Sequence, residues 1–145
     1  MNKKSKRGFT FVEVMVVVVI LGIMAAVAIP RFSFNKKLSY TTAKEVVSNL
    51  RDARSLAINT GVRHYLELFP SSPYTEYKIF DDSDTQVGET KAIPDDVTCT
   101  ASSNTFSFSY LGECNGGISG TVTLAGEGET NYINVIGITG RTSTP

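Results

Sequence analysis

From Phe9 to Ile29 the chain runs for 21 residues with Glu13 as its only charge. Coiled as a helix at 1.5 Å per residue, that run would reach about 31 Å, the depth of a bilayer's hydrocarbon core. A chain of 145 residues, 41% hydrophobic and 19% charged, has room beside such a segment for one modest globular core. It does not have room for two ordinary domains.

Ahead of the run, Lys3, Lys4, Lys6 and Arg7 put four positive charges and no acid into the first eight residues. Three kinds of segment begin this way: a plain transmembrane anchor, a secretory signal peptide with Ala26-Val27-Ala28 as its A-x-A cleavage site, and a leader cut off ahead of the apolar run. Glu13 discriminates among them. A carboxylate in lipid costs roughly 2.5 kcal/mol or more, so an ionisable group this near the start marks a functional position and needs a partner. A free amine at the same depth would serve. Cleavage between Gly8 and Phe9 would make Phe9 the new N-terminus, and its amine would pair with Glu13 of the same helix or, better for ordering an assembly, of a neighbouring one.

The string Lys6-Arg7-Gly8-Phe9-Thr10-Phe11-Val12-Glu13, followed by the apolar run and Pro30, resembles the leader and helix of type IV pilins and pseudopilins. That resemblance implies a membrane-embedded prepilin peptidase that cuts after Gly8 and N-methylates Phe9, and a Glu13 that guides docking into a filament. A secretory cut after Ala28 would discard the whole motif. Gly22 and Pro30 bracket a weak helical stretch, since glycine adds backbone entropy and proline removes a donor and clashes with the turn before it. In the resembled family this stretch can unwind within the filament.

Beyond Pro30, Ala43, Val46, Val47, Leu50, Ala53 and Ala57 recur at helical spacing, with Lys44, Glu45, Ser48, Arg51, Asp52 and Ser55 on the other side. This predicts an amphipathic helix that ends near Gly61, a natural left-handed cap, and buries its stripe against a sheet. Arg54 breaks the pattern by falling inside the apolar arc, where it should snorkel or find a carboxylate. The stretch from Leu50 to Ile58 resembles the matching helix of the GspH/FimT branch of minor pseudopilins and minor pilins.

From Val62 the texture changes to short apolar or alternating runs: 62–69, 74–80, 97–101, 105–110, 120–124 and 132–138. Turn-forming residues at 70–73, 81–84, 114–117 and 127–130 separate them. The fold class is therefore α+β, a long N-terminal helix with a membrane half and an amphipathic half packed on an antiparallel β-sheet head. Its parts are a leader (1–8), a membrane or filament-core helix (9–29), an amphipathic stem (30–61) and a β-rich head (62–145). Ile93-Pro94, Phe106 to Gly112, Thr121 to Leu124, Ile133 to Ile138 and Thr139-Gly140-Arg141 extend the resemblance to the GspH/FimT head.

Cys99 and Cys114 are close enough in sequence to close a small loop by a disulfide if the head is exported to an oxidising compartment, the alternative being two buried free thiols. Charge is laid out unevenly. Residues 31–63 hold seven Lys/Arg and two Asp/Glu, a balance of +5, whereas 64–145 hold three and eleven, a balance of −8. A basic stretch beside an apolar segment suits anionic headgroups, and an acidic head is a poor surface for nucleic acid. Some members of the resembled branch bind DNA through a C-terminal Gly-Arg-x-Arg pattern, but here Ser143 stands where the second arginine belongs, so that site is not carried over.

Catalysis finds little support. His64 is the only histidine, no G-x-S-x-G occurs, and Asp81-Asp82-Ser83-Asp84 with Glu89 lacks the glycine and later glutamate of an EF-hand loop and reads as an acidic surface turn. No cofactor or metal is expected. The expectation is a minor pseudopilin or minor pilin, not an enzyme, in the bacterial inner membrane with its head in the periplasm. Its partners would be lipid, a prepilin peptidase, an assembly platform and other pilin subunits. A DNA-binding minor pilin, an ordinary exported β protein and a major pilin are the alternatives.

Overall fold

A computed structural model describes residues 10–28, 36–126 and 128–143. The chain divides into two compact units, Met1–Ser33 and Phe34–Pro145. The first contains α1 (Phe11–Ala28), whose apolar residues lie on every side of the helix. Thr10 begins it: its Oγ1 accepts the Glu13 backbone N–H at 3.3 Å, one half of the capping box that a Thr-x-x-Glu sequence allows. Glu13 thus lies in the first turn, where the helix dipole favours a negative charge.

The second unit opens with α2 (Lys36–Thr60) and continues as β1 (His64–Phe69), β2 (Glu76–Asp81), β3 (Gln86–Ala92), β4 (Thr98–Ala101), β5 (Thr105–Phe108), β6 (Gly120–Gly126), β7 (Glu129–Ile136) and β8 (Arg141–Ser143). These strands make two antiparallel four-stranded sheets, ordered β3-β2-β1-β5 and β4-β6-β7-β8. The helix ends where its sequence predicts. Gly61 takes φ +74°, and its N–H donates to the Ala57 carbonyl at 3.1 Å, which satisfies one of the carbonyls the last turn leaves open.

The α2 stripe of Ala43, Val46, Val47, Leu50, Ala53 and Ala57 is buried, and α2 packs against β1, β5, β6, β7 and β8. Four strands, β1, β5, β6 and β7, contribute alternate residues to the same core, as a two-residue period requires: Leu66 and Leu68, Phe106 and Phe108, Val122 and Leu124, Ile133 and Val135. Small residues on the helix let the backbone approach the sheets closely, while the bulk comes from the strands.

Two strands escaped the sequence pattern. β3 has one large apolar residue, Val87, and lies mostly exposed at a sheet edge, so no alternation marks it. β8 is three residues long and is also an edge. The predicted run 132–138 ends early at Ile136, because residues 137–140 turn the chain into β8.

Arg54 solves its placement differently from either expectation. Its Nε donates to the carbonyls of Gly112 (3.0 Å) and Thr139 (3.1 Å), so backbone oxygens replace the anticipated carboxylate. Both loops must come very near for this. Gly140 is buried with φ +60°, and a Cβ there would collide with the Gly112 carbonyl oxygen and stand 2.9 Å from Arg54 Cδ.

Cys99 and Cys114 are free, buried thiols, where their spacing had pointed to a bridge. Cys99 pairs with Leu124 in one sheet, whereas Cys114 bridges to Phe108 at the end of the other. Burial pushes both thiols up to about 11. Tyr65 is pushed up to about 12, first by burial and then by its hydrogen bond to Asp84.

Gly140→Ala should destabilise the head by about 2–4 kcal/mol, since it combines left-handed strain with overpacking. Gly128→Ala, at φ +85° but with nothing within 4 Å, isolates the strain alone and should cost about 1–2 kcal/mol. Urea unfolding of both variants measures the difference; equal losses would mean that the Arg54 loops are not tightly packed.

The raised thiols make stability depend on alkaline pH. Native Cys99 and Cys114 keep protons that the unfolded chain releases, so their contribution is complete below about pH 9 and is lost as pH rises towards 11. Urea midpoints should fall across that window, and less steeply in the double variant Cys99→Ala, Cys114→Ala. Parallel slopes would show that the thiols are not the source.

Candidate functional site

The positions that the sequence marks as functional divide between the described and undescribed parts of the chain. Gly8, Phe9 and Pro30 lie outside the described residues, and so does the expected continuity between membrane helix and stem. Gly22 is described, and α1 continues through it as helix, with open space around its Cβ position.

Glu13 is exposed, and so is every large apolar side chain from Phe11 to Met24, at 49–80%. A helix apolar on all sides needs lipid or protein around it. The described helix is 18 residues long, about 27 Å, and among the described residues no helix is long and apolar enough to cross a membrane. The 21-residue run extends past α1 at both ends, into Phe9 and Ile29.

On the head, the acidic turn consumes its carboxylates locally. Asp81 accepts the N–H groups of Ser83 and Thr85, both at 2.9 Å. Asp82 pairs with Arg63 Nε at 2.9 Å, and Asp84 accepts the Tyr65 hydroxyl at 2.7 Å. This is the chemistry of a surface turn closing a hairpin between β2 and β3. His64 is buried at the start of β1, with Nδ1 3.2 Å from the Val62 carbonyl.

Sequence reasoning missed the joint of α2 with the C-terminal strand. Arg51 donates from Nε to Thr142 Oγ1 (3.1 Å) and from Nη2 to the Thr142 carbonyl (3.2 Å), one helical turn from the Arg54 clamp. The polar face assigned to Arg51 was correct, but its partner lies 91 residues away in an edge strand that no pattern announced. Around the same end of the head, Tyr110, Leu111, Ile118 and Ile138 are exposed at 60–73%.

Residues 3–29 match the prokaryotic N-terminal methylation motif. A fimbrial protein of Pseudomonas aeruginosa is 42% identical over 59 residues, which is 40% of this chain and 38% of that protein. Type II secretion system core protein G of Klebsiella michiganensis is 50% identical over 36 residues, a quarter of each chain. The chain thus spans well under half the length of the curated relatives it matches.

The fold likeness covers more. The type IV minor pilin FimU of Pseudomonas aeruginosa superimposes with a TM-score of 0.64 at 14% identity, over 76% of this chain and 89% of that one. The minor pseudopilin EpsH from the type 2 secretion system of Vibrio cholerae gives 0.60 at 9% identity, over 74% and 96%. These similar proteins are a fimbrial protein, a minor pilin and a minor pseudopilin. The chain thus carries a prokaryotic N-terminal methylation motif in its first thirty residues and shares the α+β fold of a solved minor pilin and a solved minor pseudopilin.

Proposed function

We propose that the chain is a minor pilin or minor pseudopilin of the GspH/FimT branch, a subunit that works by assembly. Residues 9–29 hold it in the bacterial inner membrane as a single pass, with the head in the periplasm. A prepilin peptidase cuts between Gly8 and Phe9 and methylates the new amine. An assembly platform then moves the subunit from lipid into a filament of pilin-like proteins, either a type II secretion pseudopilus or a type IV pilus.

The observation that carries this reading is an all-round apolar helix with one carboxylate in its first turn. Lipid alone leaves Glu13 without a partner and costly to bury. A filament supplies both an apolar surround and the Phe9 amine of a neighbour. The minor-subunit assignment draws on the two-sheet head, whose likeness to FimU and EpsH extends over three quarters of the chain.

Mass spectrometry of the mature N-terminus, from a host with a matching prepilin peptidase, should find N-methylated Phe9. A start at Met1 or Ile29 would replace the filament reading with a simple anchor or a secreted domain. Glu13→Leu should still be cut after Gly8 but enter filaments poorly, as read by immunoblotting of sheared filaments. Incorporation at the native level would remove the pairing role of Glu13.

A further inference from the structure

Between α2 and β8 lies an open cleft of about 320 Å³, lined by Arg51, Arg54, Gly140, Arg141 and Thr142. Among the described residues, the ion pairs involve Arg63 with Asp82 and Asp84, and Lys78 with Glu76. None of the cleft arginines is paired with a described carboxylate. Three like charges around one opening repel one another, so the arrangement gains from an anion between them.

Two of the guanidinium groups are already held. Arg51 uses Nε and Nη2 on Thr142, which leaves Nη1; Arg54 uses Nε on the Gly112 and Thr139 carbonyls, which leaves both Nη groups. Arg141 is exposed; its backbone N–H donates to Thr139 Oγ1 at 3.3 Å, and among the described residues its guanidinium makes no hydrogen bond. Guanidinium groups whose orientation is set by other bonds lose little freedom on meeting an oxyanion, and their planar forks match its two oxygens.

We infer that this cleft is a carboxylate-binding site that seats an aspartate or glutamate from the acidic head of a neighbouring pilin-like subunit. The source of the carboxylate rests on the filament reading; the site itself does not. Three features favour a single carboxylate over a nucleic acid. The cleft gathers three cations in one place and not along a track. The surrounding segment, 64–145, has eleven acids against three bases and would repel an extended polyanion. A head of that composition also offers acidic side chains freely to whatever packs beside it.

The test uses the full chain in detergent, with the arginine Nε–Hε resonances followed by NMR during titration with a blocked Asp-Asp dipeptide, inorganic phosphate or a thymidine oligonucleotide. The dipeptide should shift Arg51 and Arg54 saturably and bind more tightly than phosphate. Arg141→Gln should weaken it by about tenfold or more, and Arg141→Lys by less, because the charge stays and the fork is lost. Absence of a saturable shift, an unchanged affinity in Arg141→Gln, or tighter binding of phosphate or the oligonucleotide would overturn the site. A photo-cross-linker at Ser143 in assembled filaments should join an Asp- or Glu-containing peptide of another subunit's head, mapped by mass spectrometry. Cross-links to lipid alone would overturn the neighbour as the source. Dipeptide binding in detergent needs neither Phe9 methylation nor a filament, so failure of the cleft and failure of the filament reading give different results.

Discussion

Burial of one face of α2 is the constraint on which the head depends. Two four-stranded antiparallel sheets, each with alternating inward residues, would expose an apolar face apiece if nothing joined them. The stripe from Ala43 to Ala57 touches strands of both sheets and makes their separate faces one core. Its composition is part of the solution: three alanines among six positions keep the helix close, so Phe106, Phe108 and Leu124 can fill the space from the strands. The arginines of the same helix then secure what apolar packing cannot. Arg51 and Arg54 tie β8 and the loops at Gly112 and Thr139, segments with few large apolar side chains to hold them.

The N-terminal unit follows the opposite logic. α1 has no polar face, and among the described residues the side-chain hydrogen bond at its start is the Thr10 cap. A soluble helix of this kind would aggregate; one that passes from lipid into a protein bundle never meets water. One carboxylate in an otherwise apolar surface is costly in the first environment and useful in the second, because it acts as a register mark only where an amine lies opposite. Chemistry of this sort needs no pocket and no catalytic residue.

Much of this was legible in the sequence, for a physical reason in each case. The α2 stripe, the Gly61 cap and six of the eight strands follow from local periodicity and turn chemistry, which a chain carries in its own residues. What periodicity could not reveal was set by distant partners. β3 and β8 are edges, held by hydrogen bonds to one neighbour and little else, and their sequences Gln86-Val-Gly-Glu-Thr-Lys-Ala and Arg141-Thr-Ser have no apolar face to display. The placement of Arg54 was recognisable as anomalous, but its partners were not, since backbone carbonyls leave no trace in composition. The cysteines show the same limit: fifteen residues of separation invite a bridge, yet Cys99 pairs within one sheet while Cys114 bridges to the end of the other.

The two units leave opposite kinds of surface uncovered. α1 exposes apolar side chains, and the α2–β8 joint exposes cations on a protein whose remaining head surface is acidic. Apolar contact supplies most of the free energy of association but little orientation, because sliding or rotating a smooth helix changes its buried area only slightly. Charge pairs add less affinity and much more register, since a displaced pair leaves two desolvated charges apart. On the filament reading proposed above, the apolar helix supplies adhesion, while the carboxylate at its start and the arginine cleft on the head fix the subunit's position. Both charged features draw their side chains from helices and a strand, elements that hold a side chain's position more precisely than loops do.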